Sequence, residues 1–207
     1  EKIATLIIRP RGLHLSEKNV TINGERFSGT FFDLGLSLFH NAKKLIENGS
    51  GPYFYLPKLE HYLECRLLND VISFCEKKLN LEIGTVKVTV LIETINAVFQ
   101  MHEFLWELKD HIVGLNAGRW DYLFSYQKVY RNTKKVVLPD RSKVNMFVPF
   151  MSNYNKLLVD TCHKRGAFGM GGMSAQVIAK SNPKEINEKA LAAVKKDKER
   201  ELKQGND

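Results

Sequence analysis

Short apolar runs alternate with longer amphipathic stretches along most of this chain. The runs end at Gly, Pro or a charged residue, as buried strands do, and the longer stretches repeat apolar residues mostly at helical spacing. The pattern predicts strands at 4–8, 53–56, 85–92 and 111–117, a last unit ending in 166–173, and helices at 31–48, 61–79, 97–110 and after Asp121.

One piece of the chain departs from this alternation. Within residues 19–29, the sequence Val-Thr-Ile-Asn-Gly-Glu at 20–25 alternates in polarity and contains an Asn-Gly pair. Asn-Gly is the preferred pair for a two-residue turn between antiparallel strands. The segment therefore predicts a small hairpin inserted before the first helix.

A regular succession of strand, helix and strand predicts parallel pairing through right-handed crossovers, and hence the α/β class. An open doubly wound sheet and a (β/α)8 barrel both satisfy that pattern. Residues 9–12, which follow the first predicted strand, lack the glycine spacing of a dinucleotide-binding turn, and this favours the barrel. Only about five of the roughly eight units of a closed barrel are visible, so we expect the barrel to be incomplete in this chain.

The distribution of charge along the chain is informative mainly in one segment. The 207 residues include 31 Lys and Arg against 23 Asp and Glu, a net charge of +8 that raises the possibility of nucleic-acid binding. The highly charged segment 182–207 is nearly balanced and predicts a solvated mixed-charge helix. Segment 128–143 holds the strongest excess of basic residues, and it is either a solvated surface or a docking surface for a phosphorylated cofactor. With no recognisable nucleic-acid-binding module, we predict no nucleic-acid partner.

Other features limit the class of protein further. No apolar run approaches the roughly 18 residues that a membrane span needs, so we predict no membrane partner. Cys65, Cys75 and Cys162 lack metal-site spacing, which favours a reducing compartment and argues against structural zinc. Cys162 and His163 are neighbours only in sequence, whereas a thiol nucleophile needs a base in spatial contact. Because the chain begins at Glu1 without a signal segment, we expect it to be a piece of a longer protein.

In a barrel the functional residues lie at the carboxyl ends of the strands. Arg9, Lys58, Glu93 and Asp121 all follow predicted strands. Glu93 and Asp121 are about one strand-helix-strand period apart, so they should converge from neighbouring strands. Two carboxylates supply part of the oxygen shell of Mg²⁺, with water and substrate oxygens completing it. The alternative is that each carboxylate pairs with a basic side chain or caps a helix.

Two further features suit a small anionic substrate. Arg9 is a permanent cation at a strand end, suited to gripping a carboxylate or stabilising an enolate; the alternative is an ordinary ion pair. Residues 118–121 place consecutive backbone N–H groups before a helix, a suitable seat for a carboxylate. The same sequence also fits a tight turn selected for packing.

The segment Lys-Asp-His-Ile-Val-Gly-Leu-Asn-Ala-Gly-Arg-Trp-Asp-Tyr-Leu-Phe at 109–124 resembles the signature of the malate synthases, in their shorter A-type form. The resemblance covers nearly the whole chain. It extends through segments 8–12, 49–58, 91–94, 138–141 and 165–173. A minor departure is His102, where the family usually has an acid on an exposed helix face.

The resemblance implies a (β/α)8-barrel acyltransferase that joins acetyl-CoA to glyoxylate and hydrolyses the thioester, giving malate and CoA in the glyoxylate cycle. It places the Mg²⁺ ligands at Glu93 and Asp121, and the catalytic arginine, with an acid/base or enolate-stabilising role, at Arg9. The implied binding residues are Gly118, Trp120 and Asp121 for glyoxylate, and Pro149, Phe150 and Met151 for acetyl-CoA, with segment 128–143 assisting at the CoA phosphates.

The resemblance also implies that parts of the family's structure lie outside this sequence. It places residues 1–207 in the central part of the barrel, without the N-terminal helical region, the early strands, the last strand or the C-terminal helical domain. That last domain carries the family's other catalytic acid/base, an aspartate. We therefore expect no synthase turnover from this chain alone. A non-catalytic binding protein on the same fold is the alternative, and the compartment, glyoxysomal or peroxisomal in eukaryotes and cytoplasmic in bacteria, is left open.

Overall fold

The computed structural model of the chain describes residues 4–134, 136–173 and 178–207. Its strands are β1 (Ser16–Ile22), β2 (Glu25–Ser28), β3 (Tyr53–Leu56), β4 (Lys87–Ile92), β5 (Ile112–Ala117) and β6 (Phe168–Met170). Its helices are α1 (Gly29–Glu47), α2 (Tyr62–Leu79), α3 (Ile95–Val98), α4 (Met101–Glu107), α5 (Arg119–Tyr130), α6 (Pro149–Lys164) and α7 (Lys184–Lys203).

The main sheet is parallel, in the order β3-β4-β5-β6, and helices connect its successive strands. Strand β4 lies inside the sheet, and its Val88, Val90 and Ile92 are fully buried, as expected for a parallel strand covered on both faces. Within the described residues the sheet is open, with β3 and β6 towards its two edges. The predicted α/β class is confirmed.

The hydrophobic core lies between this sheet and the helices that cover it. Leu38 of α1, Ile72 of α2 and Phe104 of α4 are fully buried there together with the apolar residues of β4. Burial of these side chains is the main force that holds helices to sheet. Among the described helices, none combines the length and apolar character needed to cross a bilayer.

The predicted hairpin is present and begins earlier, at Ser16. Strands β1 and β2 pair antiparallel, and the turn between them is formed by Asn23 and Gly24. Both residues have positive φ angles, 52° and 83°. This is the backbone that a tight hairpin turn requires and that Asn and Gly adopt at low cost.

Arg11 ties the hairpin and α1 to the segment that carries Arg9. Its guanidinium donates to both carboxylate oxygens of Asp33, at 2.9 and 2.7 Å, and to Glu17 Oε2 at 2.8 Å. Two parallel hydrogen bonds to one carboxylate fix the planar guanidinium in orientation as well as position. The residues after Ile8 are thereby held against α1.

We expect Asp33→Asn to lower the stability of the protein at neutral pH. Hydrogen bonding from Arg11 lowers the pKa of Asp33, although partial burial opposes this. A lowered pKa stabilises the fold above the unfolded-state pKa, and this stability is lost as the pH falls through the folded-state pKa. Urea unfolding should show a lower midpoint for the variant at pH 7 and a difference that shrinks toward pH 2. Asp70→Asn, on the exposed surface of α2, is the control; a difference independent of pH would contradict the assignment.

The predicted strand at 4–8 is wrong for most of its length. Only Ile8 pairs, by donating to the Tyr53 carbonyl and accepting from the Tyr55 amide, each at 2.9 Å. Leu6 is 71% exposed. Residues at the edge of the described sheet have a strand on one side alone, so apolar sequence by itself does not bury them.

The predicted helix at 97–110 is divided into α3 and α4 by Phe99 and Gln100. The Gln100 side chain accepts from the Tyr62 amide at 3.2 Å and donates to the Glu60 carbonyl at 3.3 Å. These bonds join the break to the start of α2. A single helix was therefore the wrong prediction, because these contacts are distant in sequence.

The C-terminal segment is helical, as predicted, but it is not wholly solvated. Arg200 is 7% exposed, and Glu201, next to it, is also buried. Asn206, after the helix, donates to the Gly169 carbonyl of β6 at 3.1 Å. The prediction is wrong for the end of this segment, because its last turn packs on the sheet.

Candidate functional site

Three charged side chains meet where β3, β4 and β5 end. Lys58 follows β3, Glu93 follows β4 directly, and Asp121 lies in the first turn of α5, after β5. The Lys58 ammonium is 3.0 Å from Glu93 Oε2 and 2.8 Å from Asp121 Oδ2. The structure therefore brings Glu93 and Asp121 together, and both carboxylates contact one cation. Their role as metal ligands stays a prediction.

The Glu93 side chain is held by its own contacts and by those of the next residue, Thr94. The side chain is fully buried, and its Oε1 accepts the Lys58 backbone N–H at 2.7 Å. Thr94, the next residue, caps α3 by accepting from the Ala97 amide, and its hydroxyl donates to the Leu59 carbonyl at 2.8 Å. These contacts fix the carboxylate in place.

The pKa values of the two carboxyl groups are shifted in opposite directions. Burial, reinforced by Asp121, raises the pKa of Glu93 to about 7. The hydrogen bond with Glu93 lowers the pKa of Asp121; burial opposes this and Lys58 adds to it. For Lys58, burial opposes the charge, but the hydrogen bonds to Asp121 and Glu93 outweigh it and raise the pKa. Asp121 thus ionises more readily than Glu93, and Glu93 holds a proton more readily than an ordinary glutamate.

Arg9 lies on the same side of the sheet. Its guanidinium carbon is 4.4 Å from the centroid of the Tyr55 ring in β3, a cation–π distance. After the contacts with Glu93 and Lys58, the charge of Arg9 is a further cause of the low pKa of Asp121. Arg9 is exposed, so its guanidinium remains accessible to an anionic ligand.

Two clefts open beside these groups. The first, of about 420 Å³, is lined by Lys58, Glu93, Asp121 and Lys128 among others. The second, of about 390 Å³, also reaches Asp121 and is lined by Trp120 and Arg141. The basic segment 128–143 therefore contributes Lys128 and Arg141 to cleft walls. Lys135 of that segment lies outside the described residues.

The turn at 118–121 is built mainly around packing. Gly118 approaches Glu93 so closely that an added Cβ would lie 2.9 Å from the Glu93 Cβ. The Gly118 amide donates to the Tyr154 hydroxyl at 2.9 Å, and that hydroxyl donates to the Ile92 carbonyl. Since α5 begins at Arg119, the amides of Trp120 and Asp121 have no acceptor within the helix.

The three residues predicted to contact acetyl-CoA begin α6. Pro149 is exposed, Phe150 is half-buried with its ring 6.0 Å from that of Tyr126, and Met151 is fully buried in the core. Of the three side chains, only the first two have surface to offer a ligand. Tyr154, one turn further along α6, contacts the amide of Gly118, which places this helix beside the strand ends.

Some site residues were not evident from the sequence. Lys58 was predicted to lie at a strand end, but nothing in the local sequence indicates that it joins both carboxylates. Tyr154 is 36 residues from the Gly118 amide it accepts from, and a tyrosine within an amphipathic helix carries no signal for that contact. In the described parts of the chain, no cluster of three or more His, Cys, Asp or Glu side chains suited to a metal is found.

Comparison with known proteins decides the family. Residues 5–207 match the model of the malate synthase TIM barrel domain. The chain belongs to this family. Malate synthase A of Escherichia coli is 53% identical over 204 residues, covering 99% of this chain and 38% of that protein. The glyoxysomal malate synthase of Candida tropicalis is 51% identical, covering 99% of this chain and 37% of that protein.

Solved malate synthases show the same fold. The Haloferax volcanii enzyme in its magnesium and glyoxylate complex has a TM-score of 0.65 at 11% identity, covering 99% of this chain and 51% of that one. Its ternary complex with pyruvate and acetyl-CoA has a TM-score of 0.63 at 10% identity, covering 86% of this chain and 43% of that one. The predicted (β/α)8 barrel is confirmed, with the described sheet forming an open part of it. This chain spans about two fifths of the length of the Escherichia coli and Candida tropicalis malate synthases.

Proposed function

We propose that the protein containing this chain is a malate synthase, an acyltransferase that condenses acetyl-CoA with glyoxylate and hydrolyses the thioester. The observation that carries the proposal is the meeting of Glu93 and Asp121 at neighbouring strand ends beside an open cleft. Family membership supports it, because the relatives that match along nearly the whole chain include the malate synthases of Escherichia coli and Candida tropicalis. Residues 1–207 form the central part of the barrel in this proposal, and the remaining segments of the relatives flank it.

The two carboxylates fit Mg²⁺. They are hard oxygen donors that already share one cation, and Mg²⁺ binds through one or two carboxylates with water and substrate oxygens completing its shell. When bound, the ion would polarise the glyoxylate carbonyl as a Lewis acid. The Haloferax malate synthase solved with magnesium and glyoxylate supports this assignment.

Glyoxylate would be held by its carboxylate at the start of α5. The amides of Trp120 and Asp121 lack acceptors within the helix, and the N-terminus of a helix favours an anion. Gly118, the third predicted amide, already donates to Tyr154. We therefore assign the carboxylate to the other two amides and give Gly118 the role of allowing the turn to approach Glu93.

Arg9 would act on acetyl-CoA. A base removes a proton from the acetyl methyl group, and the guanidinium of Arg9 stabilises the negative charge that develops on the enolate oxygen. The enolate carbon then bonds to the aldehyde carbon of glyoxylate, whose oxygen takes up a proton. Water cleaves the thioester of the resulting malyl-CoA, giving malate and CoA. The family resemblance assigns the base to an aspartate outside these residues.

The second cleft would receive acetyl-CoA. It reaches Asp121, so a thioester bound there lies beside the glyoxylate position, and Arg141 on its wall would face the anionic cofactor. Pro149 and Phe150 offer additional exposed surface, whereas Met151 would act only by supporting the packing beneath them. The Haloferax ternary complex contains acetyl-CoA, in line with such a site in the family.

The proposed activity is tested by thiol release from acetyl-CoA in the full-length protein. CoA should appear only when both glyoxylate and Mg²⁺ are present, and malate should accumulate in equal amount. EDTA should stop the reaction, and oxaloacetate in place of glyoxylate should not support it. Absence of CoA release from a folded full-length protein supplied with both substrates would overturn the proposal and favour a non-catalytic binding protein.

We expect the 207-residue chain by itself to give no measurable turnover. The physical reason is that Glu93 and Asp121 are committed to the proposed metal site, and the family resemblance assigns the base for the acetyl methyl proton to an aspartate outside these residues. The same thiol assay should show CoA release no faster than a blank without protein. Glyoxylate-dependent release above that blank would contradict the expectation.

The compartment in this proposal follows the organism. A eukaryotic protein would act in the glyoxysome or peroxisome, as the name of the Candida relative indicates for that protein, and a bacterial one in the cytoplasm. In both settings the activity is a step of the glyoxylate cycle.

A further inference from the structure

Lys58 contacts Glu93 in two ways because of an unusual backbone conformation. Its φ angle is 63°, in the left-handed region that few residues other than glycine adopt. This conformation allows the backbone N–H to donate to Glu93 Oε1 at 2.7 Å while the ammonium donates to Oε2 at 3.0 Å. Strained backbone of this kind persists where surrounding contacts hold it, and it is concentrated at functional sites.

The ammonium also joins Glu93 to Asp121. It lies 2.8 Å from Asp121 Oδ2, so one oxygen of each carboxylate is taken by the same cation. A divalent ion held by both carboxylates would draw on the same two negative charges that the ammonium contacts. The ammonium and the ion therefore compete for the same two groups. A positive ammonium within hydrogen-bond distance of both carboxylates would oppose binding of the ion.

The two attachments of Lys58 differ in what they permit. The backbone N–H is fixed by the chain, whereas the side chain is long, flexible and 39% exposed in the wall of the first cleft. Rotation of the side chain would carry the ammonium into that cleft without disturbing the backbone bond to Glu93. Lys128, on the same wall, makes no ion pair with either carboxylate among the described residues.

We propose that the ammonium of Lys58 competes with a divalent cation for the two carboxylates of the metal site. Its ammonium holds Glu93 and Asp121 together in the metal-free protein and moves into the cleft when a divalent cation binds, while its backbone N–H continues to orient Glu93. The inference rests on the proposed function in taking these two carboxylates as the metal ligands. It makes Lys58 a positioning residue, because its action on the reaction passes through them.

The test is the affinity of the full-length protein for Mg²⁺ without substrates, measured by titration calorimetry, with Mn²⁺ followed by electron paramagnetic resonance as a second probe. Lys58→Met removes the charge and keeps the side-chain length. Lys58→Gly removes the charge, keeps the N–H donor and suits the positive φ, so it covers the case in which the Met variant misfolds. We expect both to bind the ion about tenfold more tightly.

Two matched variants complete the experiment. Lys58→Arg keeps a cation and should bind Mg²⁺ nearly as the unmodified protein does, and Lys128→Met removes a charge from the same cleft and should change affinity less than about twofold. Unchanged or weaker binding in both neutral Lys58 variants overturns the inference while leaving the metal site in place. If neither the unmodified protein nor these variants bind the ion, the proposed metal site and the inference both fail.

Discussion

Replacing Glu93 by Gln or Asp121 by Asn in the full-length protein is expected to reduce malate formation at least a hundredfold. Each change keeps the size of the side chain and removes an anionic oxygen from the place where the two carboxylates share one cation. Supporting residues around metal ligands typically contribute about 10- to 100-fold, so loss of a ligand itself should exceed that range. The kcat/KM for glyoxylate, measured across Mg²⁺ concentrations, should fall, and the Mg²⁺ needed for half-maximal rate should rise.

Glu60→Gln is the matched control for this experiment. Glu60 lines the same cleft, and its side chain makes no ion pair within the described part of the chain. Its replacement should leave kcat/KM within about twofold. Kinetics close to those of the unmodified protein in both ligand variants would remove the metal assignment, while a comparable loss in the control would indicate a general disturbance of the cleft.

Glu76→Ala is expected to lower the free energy of unfolding by about 3 to 5 kcal/mol, the range found when one partner of a buried pair is removed. Glu76 is fully buried at the end of α2 and accepts the Val86 amide at 2.8 Å and the Gly84 amide at 3.2 Å. It also contacts His111 Nε2 at 3.0 Å. The substitution leaves three polar groups without this partner just before β4 and β5, and those of Val86 and His111 are buried.

Urea unfolding followed by circular dichroism provides the measurement. Glu82→Gln, an exposed glutamate in the loop after α2, should shift the midpoint only slightly. A loss below about 1 kcal/mol in Glu76→Ala would show that water replaces the carboxylate at these amides. The fold of α2 against the sheet would then depend on apolar packing alone.

Local chemistry explains which elements were predictable. The turn at Asn23 and Gly24 follows from the φ angles these two residues tolerate, and the buried strand around Val90 follows from its β-branched run. The predictions were wrong where contacts between residues distant in sequence determine the local structure. The side chain of Gln100 breaks a helix by bonding to the start of α2, and Leu6 is exposed although its apolar sequence predicts a strand.

The candidate site was predictable to the same degree. Parallel strands bring their carboxyl ends to one edge, so the meeting of Glu93 and Asp121 follows from their positions in the strand-helix alternation. The bridging contact of Lys58 does not follow from its position in the sequence. It depends on a left-handed backbone conformation that no residue type there indicates. The burial of Met151 likewise depends on the direction in which α6 packs, which the periodicity of that segment leaves open.

The bonds that Gly169 makes show how the residues after α7 join the sheet. The Asp207 carboxylate accepts the Gly169 N–H at 2.8 Å, and the Asp207 amide donates to the Gly169 carbonyl at 3.0 Å. A closed barrel has no free strand edge, because each strand pairs with a neighbour on both sides. The backbone groups of Gly169 are thus bonded on the side where a closed barrel places its next strand.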